Sequence, residues 1–113
     1  MSARSVSVTS SESEYIAALL KEGRLAEAKA NIDALMDRTP DSPDGWHLQG
    51  LLYRQQGDKA SAAGAFNRAL KYKPDFARAC LDLADTLEAM GKLELAIKTY
   101  EHWLRILQAG NVK

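Results

Sequence analysis

The residues able to do chemistry are few. The 113-residue chain holds two histidines, His47 and His102, 55 positions apart, and one cysteine, Cys80. A metal centre on helices needs ligands at spacings of three or four, and neither histidine has a second His or Cys at such a spacing. Both are therefore read as helix-face residues. A reactive thiolate wants a basic neighbour and solvent access, and a lone cysteine cannot close an internal disulfide, which fits a reducing compartment. The seven glycines stand apart and form no phosphate cradle. The carboxylates are scattered in the manner of solvated helix faces. No catalytic residue, no metal site and no cofactor is expected, and the chain is read as a non-enzyme.

Composition narrows the classes further. Fifteen basic side chains balance fifteen acidic ones, with 46% hydrophobic and 27% charged residues. A nucleic-acid binder normally shows a basic excess or stripe, so no nucleic-acid partner is expected. No apolar run nears the ~18 residues of a membrane span, and the segment from Met1 to Ser10 lacks the apolar core of a secretory signal. A cytoplasmic protein without membrane insertion is the expectation.

The elements that would position any binding residues come from a repeat. Gly23, Gly57 and Gly91 lie 34 residues apart, as do Ala28, Ala62 and Ala96. Leu19, Tyr53 and Leu87 recur in the same frame, followed by Ile32, Phe66 and Tyr100. Leu35, Ala69 and Trp103 form a further set, with Met36, Leu70 and Leu104 beside it. Pro40 and Pro74 close the first two units, where the third has Gln108.

Within one unit the pattern is helical. Trp46, Leu48, Leu51, Leu52 and Tyr53 follow a helical period. Ser42 can cap this helix and Pro43 suits its first turn, while Gly57 can end it in the left-handed conformation. Asp58 can cap a second helix buried through Ala62, Phe66, Ala69 and Leu70, and Pro74 stops it. Asp75 can cap the helix after that. Each unit is thus a pair of antiparallel helices of roughly three to four turns. Gly50, Ala84, Ala62 and Ala96 let the axes approach, with Trp46, Tyr53 and Phe66 filling the space around the crossing. Ser11 and Glu14 have capping-box spacing, which would start the first helix at about Glu12.

The middle unit, residues 43–76, closely resembles a tetratricopeptide repeat through Trp46, Gly50, Tyr53, Gly57, Ala62, Phe66, Ala69, Leu70 and Pro74. Gln49 departs from the family's usual leucine. Residues 77–110 are similar through Leu83, Ala84, Leu87, Gly91, Ala96 and Tyr100, with Cys80 in place of the tryptophan, as an inert core thiol. Residues 9–42 keep Leu19, Gly23, Ala28, Ile32 and Pro40, but have Glu12 at the tryptophan position and Ile16 at the small one. The resemblance implies an all-α fold, a right-handed superhelical array of helix-turn-helix pairs. The domain would span 9–110 as three 34-residue units, between a disordered, serine-rich segment 1–8 and a tail 111–113.

Such an array curves and offers a concave face, which the resemblance assigns to the first helix of each pair. The residues placed there are Ser13, Ala17, Leu20 and Lys21, then His47, Leu48, Leu51, Arg54 and Gln55, then Arg78, Leu81, Asp82, Asp85 and Glu88. Leu51 and Leu81 would be partly exposed apolar contacts; alternatively they pack under neighbouring helices. A mode known in this family clamps the acidic C-terminal tails of heat-shock chaperones with lysine, arginine and asparagine. The matching positions hold Ser13, Ala17, Leu48, Arg78 and Asp82, so one cation remains and one charge is reversed. Chaperone tails ending Glu-Glu-Val-Asp are therefore not expected partners.

What the resemblance implies is a protein–protein interaction module of undetermined partner. The alternatives are a self-assembling scaffold unit and a regulatory fragment of a larger enzyme complex. Charge is mildly patterned, −3 over 9–42, +2 over 43–76 and −1 over 77–110. The final helix is read with Tyr100, Trp103, Leu104 and Leu107 inward. Leu93, Ile97 and Ile106 would then face the open end of the array and support a two-fold homodimer through the C-terminal helix. Alternatively Leu93 and Ile97 lie flat on their own pair and the chain is a monomer.

Overall fold

The computed structural model describes residues 10–112, with side chains from 11 to 110. The segment 1–8, expected to be disordered, and residue 113 of the tail lie outside the described residues. Six helices follow one another: α1 (Ser10–Lys21), α2 (Leu25–Arg38), α3 (Pro43–Gln55), α4 (Lys59–Tyr72), α5 (Ala77–Ala89) and α6 (Leu93–Val112). No strand occurs among the described residues. The helices pair as α1/α2, α3/α4 and α5/α6, and each pair stacks on the one before through α2/α3 and α4/α5.

The local signals explain most boundaries. Ser42 accepts a hydrogen bond from the Gly45 amide and Pro43 occupies the first turn of α3, where its missing N–H is no loss. Asp58 caps α4 by accepting from the Ser61 amide, and these bonds hold its carboxyl below the usual carboxylate range. Gly57 sits at φ +84°, in the left-handed region that spares only glycine a steric cost. There the Asp58 amide reaches back 2.9 Å to the Tyr53 carbonyl. The same closure joins Arg24 to Leu19 and Lys92 to Leu87, so all three turns are built alike.

Three local expectations need correction. The helix after Pro74 begins at Ala77 with Phe76 at its N-cap and no side-chain cap bond, so Asp75 does not cap it. Helix α1 already includes Ser10 and Ser11, two positions before the start expected at Glu12. Helix α6 has 20 residues and runs past position 110, longer than a three- to four-turn helix, so the expected tail begins inside it.

Two apolar clusters make the core. One gathers Ile16, Leu19, Leu20, Ala28, Ile32, Leu35, Leu48 and Leu52 from α1, α2 and α3. Ile16 is fully buried there, so the large residue at a usually small position is accommodated. The other gathers Ala62, Ala63, Phe66, Leu83, Leu87 and Ala96 from α4, α5 and α6, with Leu51 packed against both clusters. Gly50 faces the ring of Phe66 so closely that a Cβ there would lie 2.4 Å from Phe66 Cε1. Trp46, read as a core filler, is only half-buried. Its indole N–H donates to the Pro40 carbonyl, and the Arg68 guanidinium lies 5.0 Å above its ring. Emptying this site therefore costs less than emptying a sealed aromatic site.

Candidate functional site

Helices α1, α3 and α5 place one face of each unit around a common groove. A cavity of about 210 Å³ is lined there by Ser13, Glu14 and Ala17 of α1, Asp44, His47, Leu48 and Leu51 of α3, and Arg78 of α5. Ala17 and Arg78 are exposed, His47 and Leu51 half-buried, and Leu48 is buried beneath them. Among the described residues Glu14, Asp44 and Arg78 form no ion pair. The Ser13 hydroxyl oxygen is buried and has no hydrogen-bond partner among them.

Behind this opening lies a polar network that ties the second pair to the third. Asp82 of α5 is only 8% exposed. Its Oδ2 lies 2.6 Å from His47 Nε2 and its Oδ1 accepts from Arg54 Nη1 at 3.4 Å. Burial pushes the Asp82 carboxyl upward, but the His47 hydrogen bond and the charges of His47 and Arg54 outweigh it and hold the group below its usual range. His47 is clasped between the rings of Phe66 and Phe76, with centroids 5.6 and 5.2 Å away. A second polar link joins the first two pairs, where the Gln55 side-chain amide donates to the Leu20 carbonyl at 2.7 Å.

Several residues read as groove-lining stand elsewhere. Leu20 is 3% exposed and belongs to the first core cluster. Asp82 is turned inward and neutralised, and Arg54 is turned towards it. Asp85 and Glu88 point to α6, where the Tyr100 hydroxyl lies 2.5 Å from one carboxylate and 2.8 Å from the other. It donates its single proton to either, and the two carboxylates, Asp85 first, raise the phenol pKa well above its usual value. Leu81 is half-buried and does not line the cavity. Conversely, Glu14, read in the sequence only as a capping-box residue, and Asp44, not singled out there, line the groove. Asp44 lies three residues before His47 and four before Leu48, so extending that helical stripe by one turn would have found it.

The C-terminal residues also divide differently. Leu93 and Ile97 are 58% and 57% exposed, as the open-end reading requires. Leu104 and Leu107, expected inward, are 49% and 40% exposed, whereas Ile106 is half-buried beside Pro74 and His102. Among the described residues no further helix packs on the face of α6 that holds Leu104 and Leu107. Cys80 is buried, its Sγ directed at the Thr99 carbonyl, and burial pushes the thiol pKa up, away from the thiolate form.

No group of three or more His, Cys, Asp or Glu among the described residues could hold a metal ion. None of the described helices is long and apolar enough to cross a membrane.

Stacked antiparallel helix pairs, three nearly identical glycine turns and a groove lined by the first helix of each pair define a helical-repeat solenoid. The tetratricopeptide repeat model matches residues 17–70 and again 47–111, and the chain belongs to that family. A TPR repeat-containing protein of Methanocaldococcus jannaschii is 31% identical over 83 residues, 74% of this chain. The chain spans only 14% of that relative's length. The crystal structure of MamA superposes with a TM-score of 0.80 at 19% identity, over 87% of this chain and 57% of that one. The Cut9–Hcn1 hetero-tetramer of APC/C gives 0.75 at 21% identity, over 87% of this chain and 19% of that one. At these identities the two structures speak to the fold alone, which is the all-α solenoid.

Proposed function

We propose that this chain is a non-catalytic protein–protein interaction module that holds an extended or helical peptide of its partner in the groove between α1, α3 and α5. The observation that carries this is the cavity itself, in which exposed Ala17 and half-buried Leu51 lie beside Glu14, Asp44 and Arg78, charges without an ion pair among the described residues. A peptide with an apolar anchor and charges of both signs fits that lining. The buried lone thiol of Cys80 fits a reducing, cytoplasmic setting.

The test is capture of the partner from the native cell, followed by binding to Ala17→Glu/Arg78→Glu. These two side chains are exposed, so far-UV circular dichroism is expected to stay unchanged while affinity falls at least about tenfold, roughly 1.4 kcal/mol. Leu51 is the wrong site for this purpose, because a charge there would disrupt both core clusters. A partner that binds the double variant normally overturns the groove. Because the groove carries both signs of charge, added salt is expected to weaken binding only moderately.

Chaperone tails are not the ligand in this reading. Only Arg78 offers a cation at the five positions that would clamp a terminal carboxylate, and Asp82 is occupied by His47 and Arg54. A peptide ending Glu-Glu-Val-Asp is expected to bind more weakly than about millimolar. Micromolar binding by calorimetry contradicts this.

The exposed Leu93, Ile97, Leu104 and Leu107 favour a second reading, in which copies of the chain associate through α6.

A further inference from the structure

The uncovered face of α6 has a regular seam. Leu93, Ile97, Tyr100, Leu104 and Leu107 follow one another at intervals of four, three, four and three, the apolar spacing of a two-helix coiled coil. The preceding unit shows what such a face does. Ala63, Phe66 and Leu70, which correspond to Ile97, Tyr100 and Leu104, pack with Leu83 and Leu87 of the next helix, α5. Among the described residues no helix covers α6 in this way.

We infer that this seam pairs with the same seam of a second copy, the two α6 helices running antiparallel about a two-fold axis beside Tyr100. The inference rests on the self-association reading above. The charge pattern selects the occupant. Beside the seam α6 carries Glu94, Lys98, Glu101 and Arg105, all exposed and none ion-paired among the described residues.

Antiparallel pairing centred on Tyr100 sets Leu93 against Leu107 and Ile97 against Leu104 of the other copy. The same register sets Glu94 close to Arg105 and Glu101 close to Lys98, so the apolar and charged matches centre within one residue of each other, beside Tyr100. A two-fold parallel pair would instead press the charged flank of each helix against the opposite flank of the other. That flank holds Ala96, which is 2% exposed because α5 already covers it. On the α5 side Asp85 and Glu88 edge the seam at the level of Tyr100. Their like charges approach the axis from both copies and hold the association to moderate strength.

Light scattering and sedimentation at hundred-micromolar concentration test this with three variants. The wild type is expected to dimerise and Ile97→Lys to be monomeric. Glu94→Lys/Glu101→Lys makes the flank wholly basic and Lys98→Glu/Arg105→Glu makes it wholly acidic. Each is expected to dimerise at least about tenfold more weakly than the wild type, and their equimolar mixture to pair again as a mixed dimer. A monomeric wild type overturns both self-association and register. A dimer indifferent to Ile97→Lys places the interface off α6. A dimer lost in Ile97→Lys but unaffected by the charge variants overturns the antiparallel register alone.

Discussion

Phe66→Ala is expected to lower the unfolding free energy by about 3–5 kcal/mol, the usual cost of emptying a sealed aromatic site. The ring is fully buried and belongs to the cluster that joins α4 to α5 and α6, so its loss weakens the junction between units as well as its own pair. The contact with Gly50 makes a sharper test. A methyl at position 50 would lie 2.4 Å from the Phe66 ring, so Gly50→Ala alone is expected to destabilise by about 1–3 kcal/mol through overpacking. In the Phe66→Ala background the ring is gone and the methyl enters the vacated space. There the same change is expected to be neutral or stabilising, helped by alanine's advantage over glycine of about 0.5–1 kcal/mol in a helix. Urea denaturation of the four proteins measures the coupling. Simple additivity means that the close approach of Gly50 and Phe66 does not govern the crossing.

The second large effect belongs to Asp82. Removing its carboxylate leaves His47 and Arg54 without their acceptor in a place where His47 is only 12% exposed at its side chain. Asp82→Ala is expected to cost about 1–3 kcal/mol near neutral pH, the range for a half-broken buried polar contact. The pH dependence has a definite sign. A carboxyl held below its ordinary value contributes stability that is complete above that value, about 3.9. The contribution is lost as pH falls through the lower folded value. The gap between wild type and Asp82→Ala is therefore expected to narrow as the pH falls below about 4. Denaturation at several pH values reads this directly. A gap that does not shrink in acid means that side-chain volume, not the charged network, carries the contribution.

These two sites mark where sequence reasoning succeeds and where it stops. Gly57, Ser42, Pro43 and Asp58 were readable in advance because a cap or a turn is a bond between residues at most five positions apart. The backbone geometry of such short stretches depends little on the rest of the fold. The 34-residue recurrence of Gly23, Gly57 and Gly91 then dictated the helix pairs and their number. The burial of Phe66 and Ala62 followed from helical period alone.

The groove was legible only in outline. Ala17, His47, Leu51 and Arg78 were placed on one concave face by the repeat register, and they do meet around one cavity. Leu20, Asp85 and Glu88 belong to the same helices but turn to the core or to α6, because helix rotation within the stack is set by side chains on neighbouring units. The pairing of His47 with Asp82 spans 35 residues and two helices, and no local pattern announces it. Likewise, periodicity could define an apolar seam on α6 but not which side of it α5 would cover. Leu104 and Leu107 look identical to buried positions in a helical wheel. They are exposed because, among the described residues, no further helix packs on their face of α6, and only the three-dimensional stack shows which face that is. Short-range bonds determined the elements of this protein; the packing between elements decided which of its residues face the groove.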